Sequence, residues 1–394
     1  MNLITKTEEL AAVCARFATH PFITIDTEFL RENTFWPKLC LIQMACPGEE
    51  VIIDPLASGM DLAPFYHLMD NKDVVKVFHA ARQDIEIIHH QANIIPRRLF
   101  DTQIAAMVCG FGESVSYGQL VKKVTKIDVD KSSRFTDWSR RPLSDKQLRY
   151  ALADVTHLRD IYLFLKNKLE KSGRAEWLAE EIETLTNPET YIQRPETAWK
   201  RLKMRVKTPK ALAIMMELAA WRETEAQKQN VPRGRILKDE AIYDIASQAP
   251  KSSKDLGNLR TINEGFSRSS KGKDVIAAVA RGVETDPSTL PDIKKGKPLP
   301  PQTGAIIDLL RVLLKAAASK HDVATKLIAT TDDLEKIAID DNADVPALRG
   351  WRYELFGASA IALKKGNLSL SVIDGAVVTM ESTSSESNAE VEHA

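Results

Sequence analysis

No C-x-x-C pair occurs in this chain, and its four cysteines, Cys14, Cys40, Cys46 and Cys109, are too few and scattered for a disulfide framework or a thiolate zinc site. Free thiols in a reducing compartment are the expectation. No run of about 18 apolar residues is present, and the N-terminus has no basic stretch followed by an apolar one. A soluble, cytoplasmic protein with no membrane partner is therefore expected. The phosphate-loop pattern G-x-x-x-x-G-K-[ST] is missing as well, which argues against ATP-driven unwinding. Net charge is missing too: 54 Lys and Arg balance 54 Asp and Glu, so the total says nothing about a polyanionic partner.

What is present is length and pattern. A chain of 394 residues exceeds the usual single-domain size, so two or three domains are expected, each with its own core. From Phe22 to Ala57 three strand-like runs, FITIDTEFL, KLCLIQMAC and EEVIIDPL, follow too closely for crossover helices and predict an antiparallel meander. A helical stretch near Leu62–Asp70, the buried-strand run DVVKVFHA, a helix over QDIEIIHHQA and a short strand near Leu99–Asp101 follow. Together with further helices these predict an α/β unit with a mixed sheet over residues 1–171. A second, helical unit spans 194–281, broken at NVPRGR, and a Pro- and Lys-rich linker, Asp292–Gln302, separates it from a third helical unit over 303–370. Residues 380–394 are polar and acidic and are expected to be disordered.

Within the first strand run, Asp26 and Glu28 stand one residue apart. Residues i and i+2 point to one face of a strand, so the two carboxylates lie side by side, which is unfavourable unless a cation or a shared proton compensates them. Two more acids stand in suggestive places. Asp84, in FHAARQD, opens a helix just beyond a strand end, and Asp154, in QLRYALADVTHL, shares a helix face with Tyr150. Each has an ordinary reading: a solvent-facing strand acid, a charge complementing a helix dipole, a surface pair. Convergence of four hard oxygen ligands from three elements suits Mg²⁺ or Mn²⁺, and a pair of such ions serves in-line attack on a phosphodiester.

The motifs DTEF, HAARQD and YALAD resemble the three exonuclease motifs of the DEDD superfamily, and the tyrosine four residues before the last acid resembles its DEDDy branch. TDWSRRPLSDKQLRYALADV is closely similar to the ribonuclease D family, and the second unit resembles an HRDC domain, with the third a weaker, second copy. The resemblance implies a ribonuclease H-like exonuclease fold followed by two all-α HRDC-type domains. It implies that Asp26, Glu28 and Asp154 hold one divalent ion, with Asp26 bridging to a second that Asp84 supports partly through water, and that Tyr150 orients the attacking water. The activity implied is 3′→5′ exoribonuclease trimming of tRNA precursors and other small structured RNAs, with release of 5′-mononucleotides. A DNA exonuclease, or an inactive nucleic-acid-binding adaptor, remains the alternative.

Neighbouring residues carry weaker expectations. Thr27 and Phe29 should face away from the acids, with Phe29 in the core, though their backbone groups lie where a terminal nucleotide would sit. His79 ends the buried strand and either contacts substrate phosphate or is a satisfied core histidine. Asp101 reads as a helix N-cap, and the adjacent His89 and His90 cannot share a metal face. From Arg194 to Arg281 there are 19 Lys and Arg against 10 Asp and Glu. Trp199, Lys200, Arg201, Lys203, Arg205 and Lys207, with Arg233 and Arg235 of the VPRGR loop, form a basic cluster suited to RNA phosphates, with Trp199 either a stacking platform or core. No obligatory protein partner is implied.

Overall fold

The computed structural model describes residues 3–130, 136–204, 206–291 and 300–382. Strands β1 (Leu3–Ile4), β2 (Phe22–Leu30), β3 (Lys38–Cys46), β4 (Glu49–Ile53), β5 (Val75–Phe78) and β6 (Leu99–Asp101) form one sheet in the order β1-β4-β3-β2-β5-β6. The predicted meander β2–β3–β4 is antiparallel, while β1, β5 and β6 join in parallel, making the sheet mixed. β1 is two residues long and was not anticipated, since so short a run has no readable period.

Helices α1 (Thr7–Phe17), α2 (Ala63–Asp70) and α3 (Arg82–Ala92) cover one face of the sheet. There Leu10, Phe17, Phe65 and Ile85 pack on Ile23, Ile25, Ile42 and Met44. α4 (Thr102–Val108) and α5 (Tyr117–Thr125) lead to α6 (Asp145–Ser172), which lies on the opposite face. The 28-residue α6 is opened by a Ser144–Gln147 capping box, and its Leu148 and Ala151 pack on Leu41 and Ile52. Thr24 fixes this side of the sheet by donating its hydroxyl to the Val155 carbonyl at 2.8 Å. By strand parity Asp26 and Glu28 share the Thr24 side and so face α6.

α7 (Ala175–Thr186) follows between the expected first and second units. The second unit comprises α8 (Pro209–Gln229), α9 (Arg233–Ile236), α10 (Asp239–Gln248), α11 (Ser253–Gly257), α12 (Glu264–Arg268) and α13 (Ser270–Glu284) around Ile214, Leu218, Ile242, Ile245 and Val275. Residues Pro195–Arg201 ahead of it form a 3₁₀ turn rather than the continuous helix that the pattern suggested, and Arg205 lies outside the described residues. Most of the expected linker, 292–299, also lies outside them.

The third unit contains α14 (Thr303–His321), α15 (Thr325–Ile328), α16 (Thr331–Ile339), α17 (Gly350–Arg352) and α18 (Ala358–Lys364). It shares one apolar core with α4–α7: Leu165, Leu169 and Leu178 pack in the same cluster as Leu313, Leu327 and Trp351. Trp177 stacks on Trp351 at 4.3 Å, and Arg352 pairs with Glu180 and Glu181. Gly110, at φ +79°, lies against this unit, where an added Cβ would stand 2.0 Å from Asp322 Oδ1.

The unit is not all-α. Strands β7 (Leu368–Ile373) and β8 (Ala376–Glu381) form a hairpin around Asp374–Gly375, both at positive φ. The flanked Asp-Gly pair is the sequence signal for such a turn. Met380 and Glu381 therefore belong to a strand, and residues 383–394 of the expected tail lie outside the described residues.

Candidate active site

Asp26, Glu28, Tyr150 and Asp154 line one cavity of about 440 Å³, together with Thr27, His79, Gln103, Tyr117 and others. Asp26, Glu28 and Asp154 each present a carboxylate oxygen within 4.8 Å of the other two. The residue spacing explains the meeting: β2 parity turns Asp26 and Glu28 toward α6, and the i, i+4 step brings Tyr150 beside Asp154 on that helix. A register shift between Glu28 and Phe29 against β3 bends the strand immediately beyond the second acid.

Asp84 arrives from the other side. Its carboxylate is buried and accepts a 2.5 Å hydrogen bond from the Thr27 hydroxyl, which points to the face opposite Asp26. Asp84 still feels the Asp26 charge, so three acids cluster and the fourth stands behind them. Thr27 thereby gains a role that parity alone does not reveal: its hydroxyl holds Asp84. Phe29 is partly buried against the core under α1–α3, in line with its core reading.

The electrostatics are those of unneutralised acids. Burial first, then the Asp154 charge, drives the Asp26 pKa well above the usual carboxylate range. Burial and the charges of Asp26, Asp154 and Asp84 push Glu28 to about 9. Burial pushes Asp154 to about 7 against the opposing effect of a hydrogen bond donated by the Tyr150 hydroxyl. Asp84 is raised by burial and by Asp26. Without a counter-charge this group must retain protons near neutrality, and its donors are all hard carboxylate oxygens, so the residues fit divalent cations.

The surroundings supply parts that no sequence motif advertised. Gln43 pairs directly with Asp26 across β2 and β3, and its fully buried carboxamide has no hydrogen-bond partner among the described residues. Asp101 accepts from the backbone N–H groups of Gln103 and Ile104, as an N-cap does, and also from those of Ala80 and Ala81 at the start of α3. Trp138 packs beside Tyr150 at 6.0 Å, in a segment held by Arg141, whose guanidinium grips Asp54 at 2.7 and 2.6 Å. His79 Nδ1 lies 3.0 Å from Thr102 Oγ1, and burial holds its pKa below the usual value, so it brings no cation to the cavity near neutral pH.

The basic cluster resolves differently from the expectation. Arg233 grips the fully buried Glu223 at 2.5 and 2.6 Å, and Arg201 reaches the same carboxylate at 3.0 Å, so two guanidiniums share one negative charge within the protein. Arg235 bonds the Asn33 side chain at 2.7 Å, and Trp199 packs on the core of the second unit. Lys200 and Lys203 are exposed and form no ion pair among the described residues.

With this geometry established, resemblance to known proteins is informative. A family model described as 3′-5′ exonuclease matches residues 1–170, and an HRDC domain model matches residues 211–279. A ribonuclease D of Nitrobacter hamburgensis is 57% identical over 382 residues, covering 97% of this chain and all of the relative. One from Bartonella henselae is 51% identical, covering 97% and 94%. Among solved structures, Escherichia coli RNase D, described as an exoribonuclease involved in structured RNA processing, superposes with a TM-score of 0.80 at 26% identity over 93% of this chain and 99% of that one.

Proposed function

The chain belongs to the ribonuclease D family, and from that premise we propose that it is a metal-dependent 3′→5′ exoribonuclease that trims tRNA precursors and other small structured RNAs. The observation that carries this reading is the meeting of Asp26, Glu28 and Asp154 within 4.8 Å at the wall of a cavity, with Tyr150 hydrogen-bonded to Asp154. Asp26, Glu28 and Asp154 would hold one divalent ion, Mg²⁺ or Mn²⁺, and Asp26 and Asp84 would support a second. Such ions neutralise charge developing on the phosphate and acidify the attacking water.

The chain's own residues do the rest. Tyr150 orients water toward the last phosphodiester; its phenol ionises far above neutrality in ordinary surroundings, which makes it a poor base and a good director of a lone pair. Thr27 fixes the Asp84 carboxylate in place behind the other three acids. Attack breaks the bond between phosphorus and the 3′ oxygen of the penultimate nucleotide, and that oxygen leaves with a proton. A 5′-mononucleotide is released and the shortened RNA carries a new 3′ hydroxyl. Thr27 and His79, with the backbone of Phe29, would border the place of the terminal nucleotide, while Lys200 and Lys203 would meet the body of the RNA through its phosphates.

We assign residues 1–171 to the exonuclease unit, 194–281 to the basic HRDC unit and 303–370 to a second HRDC-like unit, and the cytoplasm as the place of action. No described helix is long and apolar enough to cross a membrane. Purified protein incubated with a 3′-extended tRNA and a matching DNA oligonucleotide tests the reading. Stepwise release of mononucleotides from the RNA with Mg²⁺ or Mn²⁺, abolished by chelator, is expected. Binding without degradation at every metal tried would overturn it.

A further inference from the structure

The β2–β3 connection, residues 31–37, leaves the strand after Leu30, two residues beyond Glu28, and carries none of the four acids, yet it is tied down in two directions. Toward the sheet, Arg31 makes a paired salt bridge to Glu86 of α3 at 2.8 and 2.7 Å. Trp36 stacks on His90 of the same helix, with ring centroids 4.0 Å apart and planes within 10°. α3 carries Asp84 in its first turn, so the connection links the strand bearing Asp26 and Glu28 to the helix bearing the fourth acid.

Toward the second unit, the same connection ends in a socket. Phe35 is buried against Ala226 and Ile236, and the Arg233 guanidinium lies 4.5 Å over its ring. Asn230 accepts the backbone N–H groups of Phe35 and Trp36 on one Oδ1 atom, at 3.1 and 3.0 Å. Asn230 is the left-handed cap of α8, a conformation asparagine tolerates well. Arg233 is itself fixed by the buried Glu223, and Arg235 bonds Asn33. Side chains that look like phosphate ligands in the sequence thus build a fixed receptacle for a loop of the exonuclease unit.

We propose that the second unit is a positioning element of the exonuclease centre: its Asn230–Phe35 socket, acting through Arg31 and Trp36, sets how far Asp84 stands from Asp26 and Glu28. Repelling carboxylates move apart wherever their supports yield, and a ligand set displaced by about 1 Å loses affinity and rate steeply. Asn230 and Phe35 touch neither substrate nor ion and act at a distance through loop and helix. This proposal rests on the nuclease reading above, but it differs from a role in gripping RNA.

Asn230→Ala and Asn230→Asp in the full-length chain separate the two roles. Two readouts are used: Mn²⁺ binding without RNA, by calorimetry, and Mn²⁺-dependent hydrolysis of a trinucleotide too short to reach Lys200 or Lys203. Asn230→Ala is expected to weaken Mn²⁺ binding and to lower trinucleotide kcat, each tenfold or more. Asn230→Asp, which keeps the acceptor oxygen, is expected to stay within threefold of wild type. If Asn230→Ala melts far below wild type, Phe35→Leu, which keeps the socket apolar, is expected to weaken Mn²⁺ binding at least threefold. Wild-type Mn²⁺ affinity and trinucleotide kcat in the folded variants, with only KM for long RNA raised, would overturn the proposal. If the wild type degrades no RNA, the nuclease reading fails by itself, and Mn²⁺ binding still decides the present one.

Discussion

Stripping divalent ions from this protein should make its stability fall as pH rises, and the acids in the cavity fix the sign. Glu28 and Asp154 are pushed up to about 9 and about 7, against ordinary values of 4.5 and 3.8. The folded, ion-free protein therefore keeps protons that the unfolded chain has released. A group whose pKa is raised by folding contributes its stability fully below the unfolded pKa, and that contribution is lost as pH climbs through the folded pKa. The window here opens near pH 4 and closes near pH 9. Inside it each retained proton costs about 1.4 kcal/mol of stability per pH unit. Added cation displaces those protons, so its affinity should rise about tenfold per pH unit for each one displaced. Thermal melts of chelator-treated protein from pH 5 to pH 9, with and without Mg²⁺, provide the assay, with Glu28→Gln as control. Glu28→Gln should melt higher than wild type at pH 8 without metal, because a neutral amide removes the cost of taking up a proton at this position on folding. A Mg²⁺-induced rise in Tm of equal size at pH 6 and pH 8, or a Glu28→Gln variant no more stable than wild type at pH 8, would refute the reasoning.

Other outcomes follow from the same contacts. Tyr150→Phe keeps the packing against Trp138 but removes the hydroxyl from Asp154, and should lower kcat by about 10²–10⁴ while KM changes little, as single-turnover kinetics would read. Lys200→Gln with Lys203→Gln should raise KM for structured RNA and reduce the slope of log affinity against log salt by about 1–2, without affecting a trinucleotide, in filter binding at several salt concentrations. Gly110→Ala should destabilise the protein by about 1–3 kcal/mol in a denaturant titration, because the left-handed backbone disfavours a side chain and the new Cβ meets Asp322.

The parts of the centre that follow from local periodicity are legible in the sequence. Alternation along FITIDTEFL puts Asp26 beside Glu28, and the helical step puts Tyr150 beside Asp154. The convergence of these elements came from motif resemblance, since strand and helix periods carry no information about which helix crosses which strand. Parity separates Thr27 from Asp26, but α3 packs on the Thr27 side of the sheet, and no local pattern announces its bond to Asp84. Arg201 and Arg233 read as phosphate ligands because charge is visible in a sequence while its compensation is not: Glu223 lies 22 and 10 residues away and becomes a partner through the folding of the second unit. The hairpin at Asp374–Gly375 carries a readable Asp-Gly turn signal, but it lies just beyond the helical pattern that ends near residue 370. The shared core between α4–α7 and the third unit depends on side chains more than a hundred residues apart, beyond the reach of any periodicity.

The most direct measurement compares wild type with Asp26→Asn on a 5′-labelled, 3′-extended tRNA in Mg²⁺, resolved nucleotide by nucleotide. Asparagine preserves the shape of a residue whose charge acts on the other three acids, so the variant should fold, melt at or above the ion-free wild type, and shorten the RNA at least a thousandfold more slowly. Shortening at the wild-type rate by a folded Asp26→Asn protein would contradict a catalytic centre built on that carboxylate.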